Sequence, residues 1–465
     1  MSKPTTRQPP LVPDALPVLG HAAQILRDPL GFLTSLPNYG DLVRIKIGRQ
    51  QAYVVCHPDL LAEVLLDDRS FDKGGPLIEK AREFVGNGLA ACPHREHRRQ
   101  RRLVQPAFHR GRLPAYAAVM SKHADVMTSS WKNGQDIFPV EEMYRVTANV
   151  IAATLFGTRM TDAEVTEIRQ AMGVLVANGF RQMLTPGPLA KLPTPANRKY
   201  AHAKRILFTT VRRIIERQRN ARSDGSILAA LLESRGEDDA FCETEIYDQV
   251  LSLLVAGIET TAYVLTWCCL LLAHHPQCQE RLHVESRAVL GGRVATWEDL
   301  PRLKSADRVL TEALRLYPPG WLFTRTVTRD TRLSGYPVPA GSTIVFSQYI
   351  LHHRSDLFVH PEDFDPDRWL SPSTPCRPRD GFFPFSGGAR QCIGNNFAFT
   401  EATLVLATIA DRWRLQDCES HRPIHPVARI VLVPPKRPLR VHRRPGPGVD
   451  NEPNNHEQPE LRLES

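Results

Sequence analysis

The segment FPFSGGARQCIGNNFAF, Phe383 to Phe399, holds the densest chemistry in the chain. Gly387 and Gly388 permit a tight loop, Cys392 follows, and Gly394 opens an apolar run from Phe397 to Ile409 at helical spacing. A thiol just before a helix N-terminus sits among unpaired N–H groups and at the positive end of the dipole. Both favour the thiolate, the form that binds metals. A thiolate can hold iron axially and push electron density towards O–O cleavage. Arg390, two residues earlier, can reach the anionic edge of a cofactor such as a propionate. Alone, Cys392 would read as a small buried apolar residue; the loop around it reverses that reading.

A second cluster is AGIETT, Ala256 to Thr261. Ala256 and Gly257 are small enough for a flat ligand to approach the backbone, and Glu259 and Thr260 add a carboxylate and a hydroxyl beside it. Reductive O–O cleavage needs a metered proton supply, and an acid relayed through an alcohol and water suits that task. The plain alternative has Thr260 bonded to its own helix backbone and Glu259 solvated or paired. A third cluster is HREHRRQRRLVQPAFHR, His94 to Arg110, in which His97 and Arg101 are i and i+4 and share a face. In TEALR, Glu312 and Arg315 lie one turn apart; on a surface such a pair is worth little.

Phe385, Gly388, Arg390, Cys392 and Gly394 fill every fixed position of the haem-binding loop of the cytochrome P450 family, and the chain resembles that family from about Leu11 to about Arg440. The resemblance implies a mainly α fold with a smaller β part, triangular in outline. Haem b would lie between a long central helix and the helix of the cysteine loop. It makes Cys392 the iron ligand and surrounds the haem with His97, Arg101, Arg325, Phe385 and Arg390. It makes Glu259 and Thr260 the acid–alcohol pair. Arg368 of FDPDRW joins Glu312 and Arg315 in a structural network behind the haem. The activity implied is insertion of one oxygen atom from O2 into a C–H bond. A haem-binding sensor or carrier, or a peroxygenase, is the rival reading.

By position in the family, the substrate pocket draws on Leu77, Ile78, Phe84 and Leu89, on Met172, Val176, Phe180 and Met183, on Ala256, and on Trp321, Leu322 and Phe323. These residues suit a compact apolar substrate. GPLAKLPTPANRKY, with RQRRLVQPAF upstream, resembles actinobacterial oxygenases of sesquiterpene hydrocarbons, which implies a terpene of secondary metabolism. Fatty-acid or polyketide and macrolide hydroxylation is the alternative within the family.

The elements that position these residues follow from periodicity. Leu42 to Ile47 and Ala52 to Cys56 read as a hairpin; Arg325 to Val338 and Ser342 to Phe346 are strand-rich; Ala428 to Val433 is a late strand. Met143 to Phe156, Lys204 to Arg219 and Thr244 to His274 are helices. The last is long enough to cross a bilayer, but Glu259, Thr260 and Thr261 sit near its middle, where polar groups are costly in lipid. A buried helix of a large protein is the better reading, with no membrane anchor.

The chain has 465 residues and a formal net charge of +9. The basic run at Arg95 to Arg102 leads into an apolar segment and lacks interleaved aromatics, which argues against nucleic acid. Nine cysteines are too sparse for a disulfide scaffold and fit a reducing cytoplasm. A Pro-rich N-terminal arm, one domain over residues 1–440 and a disordered tail over 441–465 are expected. No flavin or nicotinamide motif is present: the glycine pairs at 74–75 and 291–292 lack strand–glycine–helix context. Electrons are therefore expected from a ferredoxin and its reductase, delivered to a monomer.

Overall fold

The alternating residues of Leu42–Ile47 and the run Gln50–Val55 form the expected hairpin, with Leu42 opposite Val55. In the computed structural model, which describes residues 8–48, 50–157, 161–184, 192–219, 225–233, 241–371 and 380–445, this hairpin edges a five-stranded sheet. Beyond it come Thr343–Ser347, Leu322–Val327 and Phe71–Lys73. Gln50–Val55 and Thr343–Ser347 run parallel, and the remaining neighbours are antiparallel. The N-terminal arm lies along the hairpin: Arg44 N–H donates to Pro10 O at 2.8 Å and Val12 N–H to Arg44 O at 2.9 Å. Residues 1–7 of the arm lie outside the described residues.

Helices make up the rest. The long helix Glu243–His274 has 32 residues, and its most apolar window is 72% buried within the protein. Its middle and C-terminal half anchor the larger core, where Leu265, Trp267 and Leu270 are fully buried. Helix Pro139–Phe156 packs along it and stops at Gly157, whose φ of +68° suits glycine. The cysteine-loop helix runs Asn395–Arg412, and both Lys304–Leu316 and Pro276–Leu290 pack against it. A second apolar cluster, built from Val43, Val54 and Ile344, backs the sheet.

Two expectations need correction. Ala428 to Val433 is not one strand. It is two short antiparallel strands, Val427–Ala428 and Leu432–Val433, joined by a turn in which Arg429 N–H donates to Val431 O. The boundary at 440 falls inside strand Leu439–Arg443, which pairs with Trp413–Asp417 and buries Leu439 and Val441 completely. Two inward apolar residues in alternation hold that strand in place, so the folded part extends to Arg443 at least. The tail from 446 onwards lies outside the described residues.

Candidate active site

The cysteine loop and the long helix face one another across an internal cavity of about 350 Å³. Cys392, Phe385 and Ile393 line one side, and Ala256, Gly257, Thr260 and Thr261 the other. The loop is fixed from several directions. Cys392 N–H donates to Phe385 O at 2.9 Å. Gly388 has φ +64°, and a Cβ there would stand 2.1 Å from Leu65 O, so this turn requires glycine. At Gly257 a Cβ would meet Ile151 Cδ1 at 2.5 Å, a side-chain contact that a shift of the isoleucine can relieve.

Cys392 is exposed to the cavity, yet the surrounding protein desolvates its thiol and raises it above its ordinary value, while the Gly394 N–H, Lys73 and Arg101 pull it down. The Gly394 N–H thus favours the thiolate, as the position before the helix N-terminus implies. Desolvation outweighs it, and a bound metal ion removes that proton outright.

The edge of the cavity is strongly cationic. Arg325, in strand Leu322–Val327, is 2% exposed, and its Nε and Nη1 have no hydrogen-bond partner. Burial, then repulsion from Arg390, lowers it to about 10. Directly across the antiparallel ladder stands Lys73, which also lines the cavity. Its ammonium reaches Ala90 O, and burial followed by Arg325 and Arg390 lowers it to about 7. Like charges opposite one another on neighbouring strands are destabilising, and an unpaired buried guanidinium is costly. An anion seated in the cavity relieves both.

His97 and Arg101 face the same cavity, as their i, i+4 spacing requires. Burial, then Arg390, Lys73 and Arg101, holds His97 down at about 3, so its ring is neutral and carries one N–H. Arg101 Nη1 donates to Gln391 O at 2.6 Å. Arg390 also reaches the cavity edge, as expected, and is held there by the protein. Its Nε bonds Asp68 at 3.1 Å, Nη2 bonds Asp72 at 2.9 Å and Nη1 bonds Cys92 O at 2.9 Å. Two carboxylates that the sequence reading did not weigh claim this arginine. It ties the cysteine loop to strand Phe71–Lys73. The donor set, with Arg325 and Lys73 foremost, fits the carboxylate edge of a haem, and the small residues Ala256 and Gly257 leave room for its face.

On the long helix the Thr260 hydroxyl donates to Ala256 O at 2.6 Å, the plain alternative of the sequence reading, yet the residue still lines the cavity. Glu259 is 2% exposed, points away from the cavity lining, and leaves Oε1 without a partner. Burial alone pushes its carboxyl up to about 8, so it is a neutral acid at pH 7.

Behind the loop, Glu312 and Arg315 are both fully buried and share two bonds of 2.8 and 3.0 Å. Arg368 Nε donates to Glu312 at 2.9 Å, bringing the three residues together. Trp369 Nε1 at 2.9 Å and the Asp365 N–H at 3.1 Å also donate to Glu312, two partners that spacing did not reveal. Arg315 further donates to the carbonyls of His352, Pro361 and Asp363.

Of the pocket candidates, Leu89, Ala256 and Phe323 line the cavity. Leu77, Ile78, Trp321 and Leu322 do not: Ile78 packs on Val85 and Ala91, and Trp321 is core, 1% exposed, with Nε1 donating to Arg429 O. Leu322 packs against the core behind the sheet. Met172 is fully buried core. The side chains of Phe84, Val176, Phe180 and Met183 lie outside the described residues. Lining residues that were missed include Ser252, Leu253, Thr261 and Val264. Steps of four along the helix from Ala256, Gly257 and Thr260 would have found them.

A mainly α enzyme with a deep cavity between a cysteine loop and its longest helix is the class that fold and site define. The cytochrome P450 family model matches residues 9–441, and the chain belongs to the cytochrome P450 family, whose haem iron is its cofactor. It is 45% identical to pentalenene oxygenase of Streptomyces avermitilis over 93% of this chain and 97% of that protein. It is 44% identical to cyclooctatin synthase of Streptomyces melanosporofaciens, over 94% and 95%, respectively. Cyclooctat-9-en-7-ol 5-monooxygenase of the same organism is 41% identical, over 87% and 89%.

Proposed function

We propose that this protein is a haem b monooxygenase that oxygenates a small cyclic terpene, a sesquiterpene in the first instance, with Cys392 as the iron ligand. The observation that carries the cofactor assignment is the buried, unpartnered Arg325 guanidinium with the half-buried Lys73 across the ladder from it, both lining the cavity that Cys392 also lines. Arg325, Lys73, His97 and Arg101 would hold the propionates, Phe385 would pack by the thiolate, and Arg390 would brace the loop. The haem iron supplies oxygen activation and insertion into a C–H bond. The protein's part is to bind the substrate against Ala256 and Thr260, exclude water, and supply protons through Glu259 and Thr260.

The substrate reading rests on the lining and on kinship. Leu89, Leu253, Val264 and Phe323 offer shape and apolar area, and the charged lining groups cluster at the cofactor edge. The relatives named for pentalenene and cyclooctat-9-en-7-ol act on terpenes.

Electrons would come from a ferredoxin and its reductase. A basic groove lined by Arg98, Arg101, Arg102, His109 and Arg112 lies beside Gly388 and Ala389 of the cysteine loop, and His97 and Arg101 border both groove and cavity. An acidic donor seated there would lie against the cysteine loop. A cytoplasmic monomer is the working assignment.

Two experiments test the reading. Cys392→Ala or Cys392→His should abolish the thiolate-type spectrum of the reduced CO complex; a retained thiolate band rejects Cys392. Cyclic terpenes should perturb the haem spectrum of the wild type at lower concentration than fatty acids or macrolides, and the opposite order rejects the terpene.

A further inference from the structure

Among the described residues, three side chains that line the cavity carry buried polar atoms without a hydrogen-bond partner: Arg325, Gln348 and Ser252. Buried polar groups left bare are costly, so each needs a physical reason. Arg325 stands at the cofactor edge, where an anion answers it. Gln348 Nε2 donates to Phe383 O at 2.7 Å, which ties that side chain to the segment leading into the cysteine loop. Ser252 stands apart from both. It is on the long helix, one turn before Ala256 and two turns before Thr260, in the wall against which the substrate would lie.

A helical serine or threonine can satisfy its hydroxyl on the carbonyl four residues back. Thr260 does so on Ala256 O at 2.6 Å, and Thr266 on Ala262 O at 2.7 Å. Ser252 makes no such bond, although it is 3% exposed. Gly88 packs directly over it: a Cβ there would stand 2.2 Å from Ser252 Oγ and 2.4 Å from Asp248 O, and the backbone carbonyl alone requires glycine. The loop is held in that place, because Asn87 N–H donates to Asp248 Oδ2 at 2.8 Å and Leu89 N–H to Gln249 Oε1 at 3.0 Å. Leu89 and Ala90 of the loop, with Leu253 and Ala256 of the helix, are the apolar lining around Ser252.

We propose that Ser252 sets substrate preference: its hydroxyl, turned by one χ1 step, hydrogen-bonds an oxygen that the terpene already carries. The preferred substrate is then a terpene alcohol or ketone and not the bare hydrocarbon. A hydroxyl can donate to a ketone and can donate to or accept from an alcohol. A bare buried polar group that finds its partner only in the right ligand discriminates against ligands without one. Ser252 and Thr260 are eight residues apart, about 12 Å along the helix. The anchored oxygen therefore lies at one end of the ligand and the carbon to be oxygenated at the other. Such a substrate is supplied by a cyclisation that ends in capture of water, or by an earlier oxygenation. The inference rests on the terpene reading of this cavity.

The test uses three ligands of one sesquiterpene skeleton, the hydrocarbon, its alcohol and its ketone, in spectral titrations of the haem-loaded protein. Ser252→Ala removes only the hydroxyl and puts the strongest helix former in its place. It should weaken the alcohol and the ketone about tenfold, the effect of one lost hydrogen bond, and leave the hydrocarbon unchanged. With alcohol and hydrocarbon offered together, the wild type should oxygenate the alcohol first, and the variant should lose that order. An equal change for all three ligands, no change for any, or a wild type that oxygenates the hydrocarbon first would each overturn the inference. Failure of the terpene reading looks different: none of the three ligands perturbs the haem spectrum while a fatty acid or macrolide does, and the inference falls with it.

Discussion

The charges at the cofactor edge show what a residue can and cannot disclose. Cys392 and its loop were legible because five fixed positions recur in order. Arg325, His97 and Arg101 follow from the same resemblance, and all three face the cavity. Lys73 was not legible: a lysine in FDKGG carries no signal until the ladder sets it opposite Arg325. Arg390 was only half legible, because the carboxylates that claim it, Asp68 and Asp72, lie some 320 residues earlier in the chain. At this scale the acid–alcohol pair gives a test. Thr260→Ala should lower product per NADPH on the order of tenfold and raise peroxide, since one proton-relaying hydroxyl is lost. Glu259 keeps its proton up to about pH 8. Coupling in the wild type should therefore hold below that value and fall above it, and the step should vanish in Glu259→Gln. A wild-type profile that is flat from pH 6 to 9 would contradict the assignment.

Elements position these groups through contacts that local periodicity does not encode. The helices were readable from their apolar spacing, with ends displaced by a few residues. Helix Pro195–Arg219, for instance, begins nine residues before the expected Lys204. Pairings between distant segments were not readable. Gln249 on the long helix accepts from Leu89 N–H at 3.0 Å and donates to Gln100 at 2.8 Å, which pins the loop over the cavity to helix His94–Val104. The Glu312 network does the same for the segment around Arg368, and its worth comes from complete burial, not from the i, i+3 spacing. Glu312→Ala leaves Arg315 buried without its carboxylate, a loss of about 3–5 kcal/mol. The variant should lose haem incorporation and unfold at lower denaturant. A soluble, fully haem-loaded Glu312→Ala protein would show that the network is dispensable.

At the scale of the whole molecule, the excess of positive charge has a location. The groove around Arg98, Arg102 and Arg112 lies on the cysteine-loop side, so the basic balance reads as a docking field for an acidic donor. Arg98→Glu should slow reduction by ferredoxin about tenfold at low ionic strength, and the difference from wild type should shrink as salt screens the field. A salt-independent effect in stopped-flow reduction would place the donor elsewhere. The fold class was legible in full because the family motifs run in order along the chain; the pocket walls were not, since Trp321 and Phe323 stand two residues apart yet one is core and the other faces the cavity.

The proposed activity is oxygenation of a cyclic terpene at a C–H bond in this cavity, with one atom from O2. The purified protein, supplied with ferredoxin, ferredoxin reductase, NADPH and isotopically labelled O2, should be incubated with a mixed panel of sesquiterpenes, fatty acids and macrolides, and the products read by mass spectrometry. The expected result is a sesquiterpene product that carries a single labelled oxygen. Turnover of a fatty acid or macrolide with every terpene untouched, or a terpene product without label, would contradict it.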